Sequence, residues 1–451
     1  MNTRRPYELT PQDLALAQAR KEKKLKQALE AEAVRKSNAL LSRKWITISQ
    51  DHSSISLESN SITIKILTWN LLAQCLIRRE LFPTSDCLKV AQREPLIHEE
   101  IQRQDAQIIC LQEVDQLEKL LPVLDNAGYI HHYAAGYRKK HGCLIAFKKD
   151  LFSLISDKTI FYDDQPIGTV NGRNRIGGTF RTRNIGYMLA LKSRTNENEG
   201  VIVATTHLFW HPRYFLVLNL LFALLINPFF ECAILIRETI AFKELHSANG
   251  WPCILAGDYN FAPNDPAYSL LTGDSLLSSQ KELIIPSMVV HSSLDPVFPQ
   301  ATLSSIKTGE EDEGDEIDPD RDIVNARAAV EADELLSIQE IIEYFSELPK
   351  LRSIYADGLC DARKYENNIR SYGDRVPAVH GRNGANEPEY TSYTHYWQAV
   401  LDYIFVLEPS KRPVCVKGLL EPLTEKDMIP GLPQKHVSGS DHTCLVAELA
   451  W

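Results

Sequence analysis

No C-x-x-C pair occurs among the nine cysteines of this chain. They stand apart at positions 75, 87, 110, 143, 232, 253, 360, 415 and 444, an odd set without the spacing of a disulfide framework. Cys110, Cys143, Cys253 and Cys444 fall inside apolar runs, where a free thiol packs as a small hydrophobe. A reducing compartment is expected, not a disulfide scaffold. The N-terminus lacks the apolar core of a signal peptide, so the expected location is cytoplasmic and/or nuclear, the nucleolus included. Long apolar runs are lacking too. The longest, 215–230, is too short to span a bilayer comfortably and is interrupted by Asn219, Asn227 and Pro228, so membrane insertion is not expected. Positive charge is also scarce, with a net charge of −10. That does not announce a nucleic-acid binder, nor does it exclude one, because an enzyme needs only a local basic groove.

What is present divides the chain. With 44% hydrophobic residues in 451, a sizeable core can form. Residues 1–60 read as a basic N-terminal arm, helical or disordered, with eleven Lys and Arg against five Asp and Glu in its first 45 positions. From residue 61 to 451 strand-length apolar runs alternate with helical patterns. The runs are Ile62–Trp69, Gln107–Leu111, Cys143–Phe147, Val201–Ala204, Cys253–Leu255, Val400–Leu407 and Cys444–Ala447. Runs apolar on both faces suit strands covered on both sides, so an α/β domain with mixed sheets is expected. Residues 309–322 carry nine acids and one base and read as a solvated, mobile insertion.

Acids, amides and imidazoles cluster where those strands end. They occur in Thr68-Trp69-Asn70, Gln112-Glu113, Thr206-His207, Gly257-Asp258-Tyr259-Asn260, the strand-borne Asp402, and Ser440-Asp441-His442. Polar side chains at strand ends converge on one rim of a sheet. Hydrolysis of a phosphodiester needs a hard cation, a base for water and support for the leaving alkoxide. Glu113 is the candidate Mg²⁺ ligand. His442 is the candidate base, with its orienting carboxylate from Asp441 or from Asp402. Each segment alone is weak; six in one order are not.

That ordered set resembles the endonuclease/exonuclease/phosphatase superfamily, in its CCR4/nocturnin branch, and is most similar to the fungal Ngl-type RNA exonucleases. The stretches that carry the resemblance are ILTWNLLAQ (66–74), IICLQEVD (108–115), HGCLIAFKK (141–149), TRNIGYMLALK (182–192), VATTHLFWHP (203–212), ILAGDYNFAP (254–263), LDYIF (401–405) and SGSDHTCLVAE (438–448). The resemblance implies a four-layer α/β sandwich of DNase I type, two mixed β-sheets flanked by helices. It implies Mg²⁺, with Mn²⁺ as a substitute, held by Glu113 and Asn70. It makes His207 the imidazole on the scissile phosphate, Asp258 the carboxylate that orients the nucleophile, and Asn260 the amide on the transferred group. Asp402 would support His442, and Asp441 with His442 would form the terminal pair. The implied reaction removes nucleotides 3′→5′ from RNA 3′ ends and releases 5′-mononucleotides.

Substrate contacts are expected from Tyr393 and Tyr396, by stacking on bases, and from Arg138, beside Lys139 and Lys140, along the phosphate backbone. Two departures stand out. His395 replaces the Asn of the family's aromatic-Thr-Asn segment, and the apolar stretch 215–230 replaces a polar helix after His207, as a retained intron would. Rival readings are a nocturnin-like nucleotide phosphatase, a sphingomyelinase-type phosphodiesterase and an inactive scaffold. No leucine-rich repeat precedes the domain, so repeat-mediated docking is not expected.

Overall fold

The computed structural model describes residues 40–48, 61–167, 169–170, 173–174, 181–209, 226–285, 288–291, 326–366, 368–409 and 413–451. Most of the basic arm, the acidic insertion 309–322 and residues 215–225 of the apolar stretch lie outside the described residues.

Two sheets form the centre. The first has seven strands: β1 (Trp45–Thr47), β2 (Thr63–Asn70), β3 (Ile108–Val114), β4 (Tyr129–Ala134), β5 (Gly142–Lys148), β12 (Cys415–Leu420) and β13 (Leu445–Ala450), in the spatial order β1-β12-β13-β2-β3-β5-β4. The second has six: β6 (Phe152–Phe161), β7 (Ile185–Ser193), β8 (Gly200–Thr206), β9 (Cys253–Asp258), β10 (Arg352–Ser353) and β11 (Asp402–Leu407), in the order β10-β11-β9-β8-β7-β6. Both are mixed, because β2 pairs parallel with β3 and β8 with β9 while their other neighbours run antiparallel.

Alternation along each strand explains why the runs read as apolar on both faces. Ile64 and Ile66 of β2, with Ile108 and Cys110 of β3, pack against Leu189, Val203 and Ile254 of the second sheet. Leu67, Trp69, Ile109 and Leu111 point the other way, onto helices α1 (Val90–Gln104) and α2 (Leu117–Asn126) through Ile97, Ile101, Leu120 and Leu124. The outer face of the second sheet is covered likewise, with Met188, Ile202 and Leu255 meeting α3 (Ile226–Leu245) and its neighbours. Helices, sheet, sheet and helices make the four-layer DNase I-like sandwich.

Two boundaries move. Residues 45–47, assigned from sequence to the basic arm, are strand β1, paired antiparallel to β12. The Trp45 ring carries Lys65 Nζ 4.7 Å from its centroid. Three strand residues flanked by charges give no periodic signal, so the edge strand was invisible. The second concerns the apolar stretch, whose last residues are core. α3 begins at Ile226, inside the stretch. Phe229 and Phe230 are buried, Phe229 meeting the Phe345 ring edge-on at 6.3 Å. The expectation of a retained intron falls, for residues 215–225, outside the described residues. Among the described residues, no helix is long and apolar enough to cross a membrane.

Candidate active site

Both parallel pairs end on the same rim. β2 ends at Asn70, β3 carries Glu113 one residue from its end, β9 ends at Asp258, and His207 directly follows β8. The antiparallel strands beside each pair start on that rim: β11 with Asp402, opposite Asp258, and β13 just after His442. Gly257 permits the closeness of β8 and β9, since a Cβ there would come 2.3 Å from the Thr206 carbonyl oxygen.

Glu113 reaches the site through a backbone irregularity. In a regular strand its side chain would follow Ile109 and Leu111 onto the helical face. Pairing with β5 shifts between Leu111 and Val114, and Glu113 takes φ +55°, a left-handed conformation. Such a bulge re-aims the side chain. Its carboxylate then accepts from Asn70 Nδ2 (3.1 Å) and Ala73 N (2.8 Å).

Asn70 holds the acids together. Its Nδ2 also donates to Asp258 Oδ2 at 2.8 Å, and its Oδ1 accepts from Leu72 N at 2.9 Å. Carboxylates only accept, so the amide is oriented with nitrogen toward both of them. Asn70 thus stands beside Glu113, the pair expected at the metal site. It braces Glu113 and Asp258 with its N–H groups, and its oxygen is engaged by backbone.

Sequence left two candidates for the carboxylate that orients His442, and the structure selects Asp402. His442 Nδ1 lies 2.7 Å from Asp402 Oδ2, while its Nε2 stands 3.7 Å from Asp258 Oδ2. Burial alone would lower the His442 pKa, but Asp402, Asp441 and Asp258 outweigh it and push the value well above an ordinary imidazole. Asp441, adjacent in sequence, faces the same cavity and takes Ser440 Oγ at 3.3 Å. Asp258 is 1% exposed, and desolvation raises its carboxyl to about 8 against the opposing pull of His442. Asn260, also left-handed at φ +52°, donates from Nδ2 to the Leu208 carbonyl at 2.8 Å.

His207 lies between the acids, Nδ1 3.7 Å from Glu113 Oε1 and Nε2 3.7 Å from Asp258 Oδ2. Those distances suggest ion pairs, yet burial first, then Lys139 and His442, lower its pKa to about 3. The desolvation penalty decides, because neither carboxylate makes a hydrogen bond to the ring. His207 is a neutral imidazole at neutral pH. So is His141, lowered chiefly by burial to about 4, whose ring stands 6.4 Å from that of His207.

Ligand atoms of Asp258, Asp402 and His442 all come within 4.8 Å of one another. A hard divalent ion takes oxygen donors, and in that trio Asp402 is already bound to the imidazole. The carboxylates of Glu113 and Asp258, bridged by Asn70, fit such an ion better.

Above these groups lies a cavity of about 140 Å³ whose lining is part apolar and part polar. The apolar part includes Leu72, Leu76, Phe82, Trp397 and Leu401. Phe82 and Trp397 meet edge to face at 5.8 Å. The polar part includes Arg78, Lys139, His141 and Asn184. The three substrate contacts expected from sequence are not brought to it. Tyr393 is 4% exposed and packs with Tyr390, Leu423 and Leu432. Tyr396 is exposed outside the cavity lining, against His395. Arg138 is exposed on the turn before Lys139 and does not line the cavity. Trp397 and Lys139 line the cavity instead. Trp397 lay one residue beyond the aromatic segment singled out, and Lys139 inside the charge run.

The comparisons agree with this architecture. The sequence profile of the Endonuclease/Exonuclease/phosphatase family matches residues 67–442. A Schizosaccharomyces pombe protein named "Probable RNA exonuclease C9B6.11c" is 28% identical over 442 residues, covering 91% of this chain and 80% of that one. RNA exonuclease NGL2 of Saccharomyces cerevisiae is 25% identical, covering 76% and 66%. Among solved structures, that of ANGEL2, described as a 2′,3′-cyclic phosphatase, superposes with TM-score 0.54 at 20% identity, covering 91% of this chain and 98% of that one, a likeness of fold. With strand order, converging acids and imidazoles, and a profile match over most of its length, this chain belongs to the endonuclease/exonuclease/phosphatase family.

Proposed function

We propose that this protein is a Mg²⁺-dependent 3′→5′ exoribonuclease that hydrolyses RNA phosphodiester bonds and releases 5′-mononucleotides. The observation that carries the reading is the Asp402–His442 pair at 2.7 Å, set beside Asp258 and Glu113 at the floor of one cavity with aromatic residues in its lining. The relatives named RNA exonucleases support RNA as the substrate.

Glu113 and Asp258 would hold the ion, which when bound would supply positive charge to the phosphate oxygens. Asp402 fixes the His442 ring so that Nε2 faces the cavity, charged and able to donate to a phosphate oxygen or leaving alkoxide. Asp258, near both imidazoles, would be held ionised by the bound cation and orients the attacking water, whose proton leaves to solvent. Neutral His207 donates one N–H to the phosphate. Phe82 and Trp397 offer an apolar face for one base.

The test is purified protein with 5′-labelled oligoribonucleotides, in Mg²⁺ and in EDTA. Progressive shortening from the 3′ end in Mg²⁺ only, abolished by Glu113→Ala, is the expected result. RNA left intact while a nucleotide phosphate is released would refute the RNA assignment.

A further inference from the structure

Lys139 is the member of the 138–140 charge run that lines the site. It borders the main cavity and a smaller recess that joins it beside Glu113 and His207. Its Nζ donates to Asn184 Oδ1 at 2.6 Å. The orientation of that amide is not arbitrary, because Asn184 Nδ2 lies 3.4 Å from each oxygen of Glu231. A carboxyl group offers acceptors there, so the amide nitrogen faces Glu231 and the amide oxygen must face Lys139.

Glu231 is an unexpected residue to find in this place. It sits on α3, 4% exposed. A buried carboxyl is costly unless its bonds compensate. Besides Asn184, it accepts from Thr182 Oγ1 (2.6 Å) and from the backbone N–H of Phe209 (2.9 Å). Phe209 is two residues beyond His207, and Thr182 two before Asn184, whose N–H it accepts at 3.1 Å. One buried side chain thus registers the loop that carries His207 against the amide that holds Lys139.

We propose that Lys139 is a cation that receives the substrate phosphate in this cavity, and that Glu231 is its positioning residue, acting through Asn184. The proposal rests on the phosphodiesterase reading above and adds to it the group that Lys139 recognises, a phosphodiester anion. A lysine ammonium on a flexible stem is a weak phosphate ligand unless something limits its conformations, and the Glu231–Asn184 pair does so.

Steady-state kinetics on a single-stranded oligoribonucleotide in Mg²⁺ test it, with wild type first. A wild type that leaves RNA intact would defeat the functional reading itself, before any variant is compared. With an active wild type, Lys139→Met is expected to raise KM by about 10- to 100-fold with a smaller change in kcat, the loss of one charge-assisted contact. Lys139→Arg should recover part of it. Glu231→Leu should reproduce the KM increase, and Glu231→Gln, which keeps an acceptor for Asn184 and Phe209, should restore it. The double variant Lys139→Met/Glu231→Leu should be no worse than Lys139→Met alone, because both changes remove the same contact. Lys139 is half-buried on a turn, so its variants are expected to fold even where Glu231→Leu does not. A Lys139→Met enzyme with KM within about twofold of wild type overturns the proposal. So does full multiplication of the two effects in the double variant, which would leave Glu231 a merely structural group.

Discussion

Replacing Glu113 by Gly and by Ala should give the reverse of the order expected for a strand. In a regular strand interior, Gly is less stable than Ala by roughly 0.5–1 kcal/mol, through its greater chain entropy. Glu113 is at φ +55°, where any Cβ crowds the following carbonyl at about 1–2 kcal/mol while Gly is indifferent. Both variants lose the same hydrogen bonds from Asn70 and Ala73, and both relieve the same crowding of acids, so these contributions cancel in the comparison. What remains is backbone, and it favours Glu113→Gly over Glu113→Ala by about 1 kcal/mol after the entropy is offset. Denaturant unfolding of the two proteins, with slopes checked to be equal, measures the difference directly. Both should be inactive on RNA, so the more stable variant has no more function than the other. If Glu113→Ala proves as stable as Glu113→Gly or more so, the bulge is not where the structure puts it, and the route of Glu113 into the site fails with it.

The remaining predictions concern the cavity lining and the pair between the sheets. Asp402→Asn should lower kcat about 10- to 100-fold, the worth of a buried hydrogen bond to a charged group, with little loss of stability because the shape is kept; Asp441→Asn should do less, and equal effects in a kinetic assay would return the orienting role to Asp441. Trp397→Ala should weaken binding of a short oligoribonucleotide by about 1–3 kcal/mol, read as KM, whereas Tyr393→Ala should lower the melting temperature; an unchanged KM in the first would remove the base-stacking role. Burial raises the Glu231 carboxyl from 4.5 to about 8, so the folded chain binds more protons than the unfolded one between those values. The stability contributed by its proton is complete below about 4.5 and is lost as pH rises through 8, a fall of at most roughly 5 kcal/mol. Glu231→Gln should flatten that slope in unfolding curves from about pH 5 to 9, and an unchanged slope would refute the shift.

Much of this was legible in the chain because buried strands of a covered sheet declare themselves, and because strand ends share a rim. Asn70, Glu113, His207, Asp258, Asp402 and His442 follow from that rule, and the structure brings them together. What the residues could not declare was local geometry. Alternation puts Glu113 on the helical face, and only a left-handed residue in the strand turns it round. Residue types left Asp441 and Asp402 as equal candidates for orienting His442; successive side chains of an extended segment diverge, and the contact comes from the other sheet. Tyr393 and Trp397 lie four residues apart across a tight two-strand turn, Ser392–Tyr393 against Gln398–Ala399. One ring joins a small cluster with Leu432 and the other faces the cavity, a choice that hydrophobicity does not distinguish. Phosphate contact was expected along a whole charge run, whereas the turn at 136–139 sends only Lys139 inward.

The site is assembled across the seam of the sandwich, and that fixes what its precision depends on. Each sheet contributes the same device, a parallel pair flanked by an antiparallel strand: β2, β3 and β13 in one, β9, β8 and β11 in the other. Two contacts cross from one to the other. Asn70 reaches from the first sheet to Asp258 of the second, and Asp402 from the second to His442 leading into the first. A slide of one sheet over the other by even part of a residue repeat, about 3 Å, would open both contacts together. What opposes the slide is the inner core of branched side chains, with Ile66, Ile108, Leu189, Val203 and Ile254 all fully buried. Close packing resists displacement steeply, so these apolar residues, which touch no substrate, set the 2.7 Å between Asp402 and His442 as surely as the two side chains themselves.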